Sequence, residues 1–139
     1  MHVTRSTGAR ASPVYLPGRV DEFVRARAQG SMLPAVTIYR QVVTQGMLIA
    51  EGDPEWFDHI GGLVGEDVVL SKKTFTLQVD PETAARIDTI AAATPIHPRR
   101  RLSVVLRLLI FIGLRDRYPD HYATLMGLER HARHEANNP

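Results

Sequence analysis

Thr74-Phe75-Thr76-Leu77-Gln78-Val79-Asp80-Pro81-Glu82 is a strand that runs straight into a helix. Its first six residues alternate strictly, with Phe75, Leu77 and Val79 on one face and Thr74, Thr76 and Gln78 on the other. That period of two is the pattern of a half-buried strand. Asp80 followed by Pro81 is a helix start: a carboxylate caps the first free amides, and proline fits the first turn, where its missing N–H costs nothing. Ile87, Ile90 and Ala91 then supply an apolar face at helical spacing. Thr94-Pro95-Ile96-His97-Pro98 is a loop, because neither proline suits a helix interior. Leu102 to about Arg117 is a long apolar helix, Tyr118-Pro119-Asp120 stops it, and His121 to about His134 forms a last helix.

The same order of elements precedes this half. Residues 1–10 are polar and are expected to form a mobile arm. Ser12-Pro13-Val14-Tyr15-Leu16 is a short extended run closed by Pro17-Gly18. Arg19 to Ala28 has helical spacing, with Val20, Phe23 and Val24 on one face, and Gly30-Ser31 break it. Pro34 to about Ile49 is a second helix carrying Val36, Tyr39, Val43 and Met47, with Ile38 and Val42 widening its apolar face. Trp56, Phe57, Ile60 and Leu63 mark a short third helix after Gly52-Asp53-Pro54. Laid over each other, the halves match Leu16 with Val79 and Val24 with Ile87. The run Ile38 to Met47 falls on Val105 to Leu114, so that Arg40 matches Arg107 and Gly46 matches Gly113. Pro54 and Ile60 fall on Pro119 and Leu125, and the second half needs about four extra residues in its middle loop. The expected organisation is therefore an arm (1–10), a first unit (11–70) and a second unit (71–139).

One strand and two helices cannot stand alone: both strand edges stay open, and two short helices bury too little. A second copy cures both faults. The expected fold is mainly helical, with one two-stranded antiparallel ribbon made of one strand from each unit. At this point the sequence resembles a known family. Thr74 to Glu82, with Ile87 and Ile90, is similar to the strand-to-helix signature of the Arc/MetJ-type ribbon-helix-helix family, and Ile38 to Met47 resembles its second helix. The resemblance covers about residues 11–49 and 73–117, and its motifs are short. It implies a tandem, single-chain pseudo-dimer with an architecture similar to plasmid-transfer proteins of the TraY type, to which the residue pattern adds an extra C-terminal helix on each unit.

The resemblance also implies double-stranded DNA as partner, with the ribbon laid in the major groove. The base-contacting face would then carry Thr74, Thr76 and Gln78 from the second strand, and Pro13 and Tyr15, next to Ala11, from the first. Glutamine pairs bidentately with adenine, and threonine bonds a base edge or touches a thymine methyl. A flipped alternation in the first strand would present Ser12 and Val14 instead. Two unequal strands should read an asymmetric subsite. Phosphate contacts would fall at the starts of the second helices, on Thr37 in the first unit and on Arg99, Arg100, Arg101 and Ser103 in the second, with Lys72 and Lys73 ahead of the second strand.

Composition sets limits on other readings. Of 139 residues, 44% are hydrophobic and none is cysteine, so neither disulfides nor thiolate zinc sites can hold the chain. The net charge of +2 is mild, but base clusters at Arg5 to Arg10, Lys72-Lys73 and Arg99 to Arg101, and acid clusters from Glu51 to Asp67. No apolar leader is visible in the first twenty residues, and Leu102 to Leu114 is too short for a bilayer. A cytoplasmic, nucleoid-associated protein without membrane contact is expected. His131, His134 and Glu135 lack a further well-placed metal ligand, His59 and His121 lack an evident carboxylate partner, and Asp21-Glu22 and Glu51-Asp53 show no tuned acid and base. There is no phosphate loop and no nucleophile elbow, so neither an enzyme nor a cofactor is expected. The function these readings favour is sequence-specific DNA binding, as a repressor or autoregulator or at a plasmid-transfer origin, with self-association on DNA as an option. The alternative is a protein-interaction module, an antitoxin or adaptor, in which Trp56, Phe57, Ile60, Leu63, Tyr122, Leu125, Met126 and Leu128 dock a partner instead of covering the core, with the region from His121 as docking element.

Overall fold

The computed structural model describes residues 10–60, 70–71 and 74–127. Along the chain these form β1 (Arg10–Tyr15), α1 (Gly18–Gly30), α2 (Ala35–Glu51), α3 (Trp56–Ile60), β2 (Thr74–Val79), α4 (Pro81–Ala92), α5 (Arg101–Arg117) and α6 (Pro119–Met126). The described chain is mainly helical, and its two strands pair antiparallel into one ribbon. In the ladder Ala11 faces Gln78, Pro13 faces Thr76 and Tyr15 faces Thr74. The Thr74 hydroxyl donates to the Val14 carbonyl at 2.9 Å across the strands.

Local chemistry sets most boundaries. The Asp80 carboxylate accepts from the Thr83 backbone N–H at 2.7 Å, capping α4 as its sequence implies. α1 ends at Gly30, and the chain turns through Met32, a non-glycine residue with a φ of 57°. Gly127, with a φ of 78°, ends α6 in the left-handed region that favours glycine. Several boundaries differ from expectation. Arg10, placed in the arm, belongs to β1, where it pairs with Val79 across the ribbon and forms an ion pair with Asp88 on α4. The expected loop before α5 tightens into a 3₁₀ turn at Pro98–Arg100 that runs directly into the helix. α6 starts at Pro119 rather than His121, because proline is accommodated in a first turn, and it ends at Met126 rather than near His134, because Gly127 takes the left-handed conformation that closes a helix. The arm to residue 9, Leu63, Lys72, Lys73, Leu128, His131, His134 and Glu135 lie outside the described residues.

The ribbon lies on the helices through Val14, Leu77 and Val79, all buried, while α2 and α5 cross beneath it. Val42, Met47, Leu106, Leu109, Ile110 and Phe111 fill that crossing. The two helices approach so closely that a Cβ on Gly46 would overlap the Leu109 carbonyl, and one on Gly113 would overlap the Val42 carbonyl. Only glycine allows both contacts. Trp56, Ile60, Leu125 and Met126 are buried, so on α3 and α6 these residues cover the core instead of facing outward. α6 is pinned to α1 by Phe23 packed edge-on against Tyr118, centroids 5.0 Å apart, with the Arg27 guanidinium over both rings.

Candidate nucleic-acid interface

Alternation along the two strands decides which side chains leave the core. Ser12 and Val14 point inward and are buried, which removes the flipped arrangement of the first strand. The outer face carries Ala11, Pro13 and Tyr15 from β1 and Thr74, Thr76 and Gln78 from β2, all exposed. The ladder sets these opposite one another, so that each hydrogen-bonding side chain of β2 has a mainly apolar neighbour on β1. Pro13, which cannot donate to a ladder, sits in a strand with one open edge, where proline is tolerated. Its carbonyl accepts a 2.8 Å hydrogen bond from the Ser103 hydroxyl, which fixes the start of α5 beside β1. α2 flanks the opposite strand. The Tyr39 ring stacks on Phe75 with centroids 4.4 Å apart, and Arg40, Val43 and Thr44 line a cleft of about 300 Å³ with Leu77, Gln78 and Asp80.

The candidate phosphate contacts divide by flank. Beside β1, Arg99 and Arg100 are exposed and Arg101 is half-buried, its Nε donating to the Ile96 carbonyl at 3.1 Å. The backbone donors there are engaged: the Arg99 N–H meets His97 Nδ1 at 3.2 Å, the Arg100 N–H meets the His97 carbonyl at 2.8 Å, and the Arg101 N–H meets Pro98. The Ser103 hydroxyl has given its one proton to Pro13. Guanidinium groups, not amides or hydroxyls, are therefore what this flank offers an anion. Beside β2, Thr37 is half-buried and its N–H is bonded to the Pro34 carbonyl at 3.0 Å. α2 has no side-chain cap and no charged residue in its first turn.

Two arginines on these flanks were missing from the sequence-based site. Arg40 lies in the β2 cleft close enough to Asp80 to help hold that carboxylate below its usual range, after the larger effect of the Thr83 bonds. Arg107 is half-buried, its pKa is lowered by burial, and it has no hydrogen-bond or ionic partner among the described residues. Their matched positions when the two halves of the sequence are overlaid were the available signal, but a helical arginine inside an apolar run also suits simple solvation.

His59 corrects an expectation: its Nδ1 lies 2.6 Å from Asp53, and this contact keeps the Asp53 carboxyl below its ordinary value. Among the described residues no group of three His, Asp or Glu side chains could hold a metal, and no helix is long and apolar enough to cross a membrane. Compared with protein-family models, curated proteins and solved structures, the chain finds no match.

Proposed function

We propose that the chain is a tandem ribbon-helix-helix protein that binds double-stranded DNA sequence-specifically, inserting its β-ribbon into a major groove. The observation that carries the reading is the outer row of the ribbon: Thr74, Thr76 and Gln78 exposed beside Ala11, Pro13 and Tyr15, on a two-stranded element narrow enough for a major groove. Two features support a pseudo-dimer. The ladder pairs Pro13 with Thr76, which are matched residues when Leu16 is laid on Val79, so the pairing is its own image under exchange of the halves. The helix crossing repeats that symmetry, Gly46 against Leu109 and Gly113 against Val42, each residue meeting the counterpart of the other's partner. A surface that grips DNA through arginines around such a ribbon suits a repressor, an autoregulator or a transfer-origin protein. The burial of Trp56, Ile60, Leu125 and Met126 speaks for helices that finish the core, against their use as a docking element.

The test is a mobility-shift titration on duplexes from the protein's own upstream region. Thr76→Ala with Gln78→Ala is expected to abolish discrimination between specific and scrambled duplexes while leaving the far-ultraviolet circular dichroism unchanged. Discrimination that survives the double substitution would remove the ribbon from the binding site and favour the interaction module.

A further inference from the structure

Resting on that reading, we infer that the two sides of the ribbon divide the work: the β2 side reads bases and the β1 side holds phosphates, so the chain takes a non-palindromic duplex in one orientation. The outer row supplies the first half of the argument. Exchanging the two units would swap Gln78 with Tyr15, Thr76 with Pro13 and Thr74 with Ala11. A bidentate amide would be replaced by a phenol, and two hydroxyls by hydrocarbon. Adenine recognition by Gln78 therefore has no twin, whereas Ala11 and Pro13 present only apolar surface, suited to thymine methyl groups.

The flanks supply the second half. A ribbon in a major groove has one sugar-phosphate backbone on each side. The bond from Ser103 to Pro13 places the α5 start beside β1, and with it the exposed Arg99 and Arg100. Arg107 lies one helical turn beyond Ser103 on the same face, a half-buried cation with no described partner. The flank beside β2 is built from the start of α2, where Pro34, Ala35, Val36 and Thr37 bring no charge; its described cations, Arg40 and Arg117, line an open cleft with Thr37 further along the helix, and Arg40 also lies within electrostatic reach of Asp80. Among the described residues, guanidinium groups thus gather at the helix start beside the strand that is poor in base-reading groups, and the base-reading groups gather beside the helix start that carries none. An inverted repeat would waste both differences.

Selection from a random-sequence duplex library, followed by titration of the selected and a scrambled duplex over a salt series, tests this on the full chain. The wild type is expected to yield a consensus without dyad symmetry. Arg99→Gln with Arg100→Gln should weaken both duplexes by the same factor and leave the consensus unchanged. It should also make the slope of log affinity against log salt shallower by about 1.8, as expected for two lost phosphate contacts. Gln78→Ala should lower the preference for the selected duplex about tenfold or more, with the salt slope unchanged. Grafting the β2 row onto β1, as Ala11→Thr, Pro13→Thr and Tyr15→Gln, should move the consensus toward an inverted repeat. A palindromic wild-type consensus, or an arginine variant that changes sequence preference, would overturn the division of labour while leaving DNA binding in place. Equal affinity of the wild type for every duplex would overturn both.

Discussion

Tyr39 is held at three points of its side chain. Its ring stacks on Phe75, its body is buried, and its hydroxyl donates to Asp21 Oδ1 at 2.6 Å, while Arg25 Nε bonds the other carboxylate oxygen at 2.8 Å. Burial opposes the Asp21 charge, but the Tyr39 and Arg25 bonds outweigh it and hold the carboxyl below its ordinary 3.8. Burial, then Asp21, pushes the Tyr39 phenol well above its ordinary 10.0. The two shifts bracket a pH window. Asp21, depressed in the folded state, contributes stability that is fully present above about pH 4 and is lost as pH falls through its folded value. Tyr39, raised in the folded state, contributes stability that is complete below about pH 10 and is lost above it. Tyr39→Phe keeps the stack and removes the hydroxyl. It is expected to cost about 1.5 kcal/mol in urea unfolding at neutral pH and to move the Asp21 titration, followed by carboxyl NMR, back toward its ordinary value. An unmoved Asp21 titration would mean that Arg25 alone sets that charge. None of this was legible in the sequence, where Tyr39 counted as one apolar position among several. The outward row was legible, because a period of two assigns faces without knowledge of any partner. The bonds Ser103 to Pro13, Arg10 to Asp88 and His59 to Asp53 were not, because each depends on where a fold or turn places two groups that sequence spacing does not pair.

At the scale of elements, the crossing of α2 and α5 is the feature on which the ribbon's support depends. Gly46 and Gly113 were visible as matched residues, but their purpose was not, since sequence alone cannot tell a helix that tolerates glycine from one that needs it. Glycine in a helix interior ordinarily costs about 1 kcal/mol relative to alanine, so Gly→Ala should stabilise an unconstrained helix. Here the added methyl would meet a backbone carbonyl that cannot rotate away. Gly46→Ala and Gly113→Ala are each expected to destabilise by about 1–3 kcal/mol or more, read as a lower thermal midpoint, despite the gain in helix propensity. A stabilising result at either position would show that the helices cross with more room than this. The same reasoning explains the uneven legibility of the strands. β2 alternates cleanly from Thr74 to Val79, whereas β1 carries Pro13, a residue that argues against a strand, at an outward place and Ser12 at an inward one, so its pattern carries half the signal. The 3₁₀ turn before α5 went unforeseen because Pro95 and Pro98 speak against a helix interior but not against a single tight turn.

At the scale of the molecule, the halves bury one another. Val14 from the first strand and Leu77 from the second lie over a core that Met47 and Val42 share with Leu109 and Phe111, and the ion pair of Glu51 with Arg86 ties α2 to α4. Neither half keeps a closed core if the other leaves, because the ribbon loses a strand and the helix crossing loses a helix. A two-chain version of such a fold would have a stability that depends on protein concentration; joining the halves in one chain removes that dependence. The lone tryptophan makes this testable. Trp56 belongs to the first half and is buried, so its fluorescence reports that half, whereas circular dichroism reports the helices of both. Urea unfolding followed by the two signals is expected to give one coincident transition, with a midpoint unchanged over a hundredfold range of protein concentration. A Trp56 transition at lower urea than the loss of helix would mean that the second half stands without the first. The β1–β2 ribbon would then be a docking of two separable units, and the outer row could be taken apart without unfolding the chain.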